Sequence, residues 1–227
     1  LFSIETTVKQ TPLQKVLHFF LTKMLAGIAV IFLMVAFIEW LRSSIFDKTN
    51  LPDDLKALIR AVAEAFIATM GYIFLFRAYD RRRIYELSAA TFIENAFKGF
   101  STGIILQALF ILIIYLAGTF LVLNVNPVST MASPFAFALT AGFVAEIIII
   151  GIVFRFLEEQ TGTVTALLIF IILFAALHIN VKGATFVSVG ATAMQAGFML
   201  PAAYVFSRNL WLPVFIHFGW DFAEPGI

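Results

Sequence analysis

The chain has 227 residues, 61% of them hydrophobic and 13% charged, with a formal net charge of +1 and a mean hydropathy of +0.98. Soluble domains carry about 25% charged residues, so the deficit, together with several long apolar runs, defines an integral membrane protein of the helical type. Strict alternation of apolar and polar residues is absent, which argues against a β-barrel. The near-zero charge argues against nucleic acid as a partner, and the lack of cysteine excludes thiol catalysis, thiolate zinc sites and disulfides.

Taken in order, Thr11-Pro12 opens the first predicted helix, with Lys9 and Lys15 around it and no cleavable signal peptide visible. His18 is expected near its start as an interfacial residue. The apolar core runs from about Leu25 to Trp40, and Glu39, Trp40 and Arg42 mark the far interface. Asn50 to Asp54 reads as a turn and a capped helix start, and the second span runs to about Tyr79. Arg60 and Glu64, four residues apart in that span, are expected to pair. Arg77, Asp80, Arg81, Arg82 and Arg83 form a basic cluster, followed by a predicted short surface helix from Tyr85 to Phe100.

Span three is predicted over about Ser101–Leu123. An uncharged loop, Asn124–Ser133, leads to a capped start at Ser133-Pro134 for span four, which Gln160-Thr161-Gly162 ends. Span five covers about Thr163–Ile179, and Asn180–Gly183 is a tight turn. Span six, about Ala184–Phe206, carries Gly190, Ala193 and Gly197 for close packing and Pro201 as an expected kink. Arg208-Asn209 turns the chain into a last segment from Leu210 to about Phe222. The fold class is therefore all-α, a polytopic membrane domain over residues 1–227 with about seven spans. Lysine and arginine gather in alternate loops, which places the N-terminus in the cytoplasm.

Ionisable groups inside apolar segments are the candidate functional residues, because a charge at membrane depth costs about 2.5–3.5 kcal/mol on insertion scales. Glu146 lies mid-way along span four, His178 ends span five, and His217 and Asp221, four residues apart, share one face of the last helix. A carboxylate and a histidine can activate water, and a second histidine can stabilise an oxyanion. The same residue types could hold zinc, carry protons, or act as interhelical glue.

The second part of the chain resembles the CAAX-protease and bacteriocin-processing group of intramembrane endopeptidases, also called the Abi or type II CAAX prenyl endopeptidase family. That family shows Glu-Glu-x-x-x-Arg, then Phe-x-x-x-His, then His-x-x-x-Asn or Asp. The second motif stands here as Phe174-Ala175-Ala176-Leu177-His178 and the third as His217-Phe218-Gly219-Trp220-Asp221, led in by Asn209 to Ile216. The motif core spans residues 142–222.

Aligned on Gly151, the first motif falls on Ala145 and Glu146, with Ile150 in place of the arginine. The resemblance implies a water-activating role for the first glutamate and the histidine matching His178, and an oxyanion site at His217 and Asp221. With Ala145 and Ile150 in those places, the chain is expected to be impaired. Glu146, without an arginine partner, is expected to be neutral. The expected substrates are peptides or prenylated C-terminal segments of proteins in a bacterial or archaeal membrane, with membrane lipids as the other partners. The expected catalytic set is Glu146, His178, His217 and Asp221, with no metal and no cofactor. A non-catalytic scaffold of the same fold, or a proton-coupled transporter, is the alternative.

Overall fold

The computed structural model describes residues 19–123 and 126–224. The expected helix start at Thr11-Pro12 and the position of His18 lie outside the described residues, as does Asn124. Among the described residues seven long helical segments run in order: α1 (Phe20–Ser44), α2 (Asp53–Tyr79), α3 (Phe92–Leu116), α4 (Val128–Thr161), α5 (Thr163–His178), α6 (Phe186–Ser207) and α7 (Trp211–Ala223). The described residues form no strand. Five of the seven are long and apolar enough to cross a bilayer. The 16-residue α5 and the 13-residue α7 are shorter than a full span.

The centre of the bundle is α4. Half of its most apolar window is buried, against 11% for α1, which is largely exposed to the surroundings. Ile147, Ile150, Ile152 and Phe154 are fully enclosed. Phe154 meets Phe170 of α5 and Tyr204 of α6 edge-on. Two stretches of α4, Ala141–Ala145 and Ile149–Phe154, are wound as π-helix, on either side of Glu146. A third π-turn, Gln195–Met199, lies in α6 directly before Pro201. This wider winding, rather than a simple kink at the proline, is where α6 departs from regular α geometry.

Glycine lets α7 sink into the bundle. Gly99 and Gly103 of α3 form a G-x-x-x-G face. A Cβ on Gly99 would lie 2.7 Å from Leu212 O, and one on Gly103 would collide with Ile216 O. From the other side, a Cβ on Gly142 would sit 2.9 Å from Val214 O. Backbones approach this closely only where a side chain is missing. The same contact explains why the expected surface helix at Tyr85–Phe100 is not separate. Its later part is the first two turns of α3, held against α7, while residues before Ala89 run as loop.

Two further expectations change. Arg60 pairs with Glu39 of α1 at 2.8 Å rather than with Glu64, because α1 and α2 are antiparallel neighbours and this brings Glu39 beside Arg60. Glu64 instead accepts from Thr140 Oγ1 at 2.8 Å, at 1% exposure. Ser133-Pro134 does not cap α4: Met131 stands at the cap of the α-helical part, with no side-chain cap bond.

Candidate active site

The last helix is fixed at its start by polar contacts. Asn209 Oδ1 accepts from Trp211 N at 2.9 Å, and Asn209 Nδ2 donates to Thr91 Oγ1 at 2.8 Å. Trp211 Nε1 donates to Ser88 O, and Leu210 N donates to Glu86 O. Glu86 itself is bound by Arg82 and by the Tyr72 hydroxyl. Burial acts to raise the Glu86 pKa, but these hydrogen bonds and the Arg82 charge hold the carboxyl below its ordinary value. The Asn209–Leu210–Trp211 lead-in is thus the anchor that sets the height of α7 in the bundle.

One and a half turns on, His217 stands between two carboxylates. Its Nδ1 lies 2.7 Å from Glu146 Oε1 and its Nε2 lies 3.3 Å from Asp221 Oδ2. An imidazole facing an acceptor at each nitrogen satisfies both contacts when both nitrogens carry hydrogen. Glu146 is 2% exposed, and its Oε2 is buried with no partner among the described residues. Glu146 therefore has a partner after all, in His217 rather than in an arginine. The expectation of an unpartnered acid rested on the missing arginine, and the bond to the ring offsets part of the cost of burying the carboxyl.

His178 ends α5. Its Nδ1–H donates to Phe174 O at 2.8 Å, and its ring stacks on Phe174 with centroids 4.6 Å apart. A carbonyl accepts only, so this bond assigns the hydrogen to Nδ1 and leaves Nε2 as a free acceptor.

His178, His217 and Asp221 line one cavity of about 380 Å³ between α4, α5, α6 and α7. Glu146 does not line it; it backs His217 from the protein side. Gln195, Thr192 and Trp220 also face this cavity and were not singled out from the sequence. Gln195 carried a signal, as an amide mid-way along an apolar span. A second cavity of about 220 Å³ shares His178 and Thr192 with the first and adds Lys182 and Ser188. A third, of about 420 Å³, shares Ala184 and Val189 with the second and is almost wholly apolar, between Ala176 and Ile179 of the α5 end and Phe186 and Gly190 of α6. Gly190 does not serve close packing as expected; a Cβ there meets nothing within 4 Å, whereas one on Gly197 would lie 2.9 Å from Phe174 Cβ. Among the described residues no group of three or more His, Asp or Glu is arranged to hold a metal ion.

Part-buried ionisable side chains around a cavity between long apolar helices fit an integral membrane protein of the helical type. Residues 127–223 match the family model described as Type II CAAX prenyl endopeptidase Rce1-like. The matched segment contains all four expected site residues together with Ala145 and Ile150. No curated protein and no solved structure matches the chain.

Proposed function

We propose that the chain is an intramembrane endopeptidase of the CAAX-processing type, acting on peptides or prenylated C-terminal segments, with chemistry weakened by Ala145 and Ile150. The observation that carries this reading is the single cavity shared by His178, His217 and Asp221. His178 Nε2 is the base. It takes a proton from a water, the water oxygen adds to the peptide carbonyl carbon, and the imidazolium then gives the proton to the departing amine. Ala145 offers no carboxylate to share that charge, and the Phe174 carbonyl is a neutral partner, so the imidazolium is poorly stabilised. General acid–base assistance is worth about 10²–10⁴-fold, and this chain retains part of it.

Glu146 acts through His217, holding the ring against Asp221. The apolar cavity that continues from the site suits a lipidated peptide: the chain lies between α5 and α6, and Lys182 at the junction faces a terminal carboxylate. Lys23 of α1 pairs with Asp80 at the end of α2, and the cluster Arg77–Arg83 lies at that end, which supports a cytoplasmic N-terminus.

The test is cleavage of farnesylated and unmodified peptides by the protein reconstituted in vesicles. Slow cleavage by the parent, lost in His178→Ala and raised in Ala145→Glu, is the expected result. Folded parent and Ala145→Glu proteins that bind these peptides and cleave none would instead identify a non-catalytic binding protein.

A further inference from the structure

Gln195 stands mid-way along α6, inside a segment apolar enough to cross a bilayer. An amide at that depth is costly unless it finds a partner or a polar cavity. None of the hydrogen bonds among the described residues involves its side chain, which lies half-buried on the wall of the His178 cavity. Gln107, mid-way along α3, is different: it is 4% exposed and its Oε1 is sealed in the bundle. Thr192, one turn before Gln195 and on the same face, also lines the cavity without a side-chain partner. Gln195 further begins the π-turn Gln195–Met199, a winding that concentrates at functional sites.

The donors implied for the oxyanion by the family resemblance are engaged elsewhere. Both nitrogens of His217 face carboxylates, and Asp221 is itself set against the His217 ring. We infer that Gln195 is the residue that holds the carbonyl oxygen of the scissile bond, through its side-chain amide, as negative charge builds there. This rests on the peptidase reading above. The attacking water is held from α5 by His178 and the carbonyl oxygen from α6 by Gln195, so the reacting carbon lies between the two helices. Thr192 supports the same oxygen from one turn away.

The inference separates ground-state from transition-state binding. The probes are a farnesylated peptide aldehyde, whose hydrate carries both oxygens of the tetrahedral intermediate on one carbon, and the matching peptide alcohol, which carries only one. Removing one oxyanion donor lowers turnover about 10²–10³-fold. In Gln195→Leu, kcat and aldehyde affinity should fall by that order while KM and alcohol affinity stay put. Gln195→Glu, of nearly the same volume, should show the same split, and Gln195→Asn a smaller loss. Gln195→Met serves if the leucine variant does not fold, and melting temperatures in detergent report folding for each. A parent that binds the aldehyde better than the alcohol, with that preference intact in folded Gln195→Leu or Gln195→Met, overturns this inference alone. A parent that binds neither probe and cleaves nothing overturns the peptidase reading and this inference with it.

Discussion

His217 Nδ1 donates to Glu146 Oε1 at 2.7 Å, across 71 residues of chain, and this bond joins the central helix α4 to the last helix α7. The contact is part-buried, with Glu146 enclosed and the His217 ring also open to the cavity, so loss of the carboxyl leaves the ring without its Nδ1 acceptor. Glu146→Leu should destabilise the protein by about 3–5 kcal/mol, as expected when one member of a buried pair is removed. Glu146→Gln keeps an acceptor for the ring and should lose about 1–3 kcal/mol. Unfolding in mixed micelles would measure both; equal stability in all three proteins would show that the bond carries nothing.

Two glycine-to-leucine changes should have opposite outcomes. Gly103→Leu drives a side chain into the backbone of α7 at Ile216 and should lower stability by at least about 1–3 kcal/mol. Gly190→Leu meets open space, so the fold should be kept. It fills the apolar cavity instead, and should weaken binding of farnesylated peptide relative to its unmodified form in a competition assay.

Ile150→Arg restores the arginine of the family's first motif in sequence but not in space. Ile150 is fully buried in the core around α4, and Glu146 is already engaged by His217. The new charge would enter without a solvent path, so the variant should express poorly and melt well below the parent. Ala145 is only half-buried, and Ala145→Glu should fold. Comparable melting temperatures for the two variants would contradict this contrast.

Glu86 makes stability depend on pH. Its ordinary pKa of 4.5 is lowered in the folded protein, where burial is outweighed by the bonds from Arg82 and Tyr72. The stabilisation is therefore present above about pH 4.5, and is lost as pH falls through that value towards the depressed folded pKa. Melting temperature should drop over that acid window, and Glu86→Gln should flatten the drop while lowering the plateau at neutral pH. Since Glu86 O holds Leu210 N, the same variant reports whether the α7 anchor survives loss of the side-chain charge.

Much of the bundle was legible because apolar runs and their punctuation are local. Gly162 with φ 80° ends α4, and Arg208 with φ 51° turns the chain into α7, both at positions read from the sequence. The order of the buried ionisable groups was legible too, since each interrupts an apolar run. Their partners were not. Whether Arg60 meets Glu64 or Glu39 depends on which helices are neighbours, and the G-x-x-x-G face at Gly99 and Gly103 acquires meaning only once α7 lies on it. Gln195 stood in plain view but was masked by its setting among small residues. The facing of Glu146 was beyond sequence reading, because a regular 3.6-residue turn cannot represent π-winding on both sides of it.

That winding sets where α4 can absorb a change of chain length around Glu146. A π-turn is an α-helix holding a surplus residue. Deleting one residue within Ile149–Phe154 would let the helix relax to ordinary pitch with its flanking parts still in phase, whereas deleting one within the regular turns Ala132–Thr140 would rotate the residues before it by about 100°. In the first case Phe154 and Arg155 would keep the neighbours they now meet. A homologous sequence one residue shorter within Ile149–Phe154 would, by the same logic, run as regular α-helix and present the same faces.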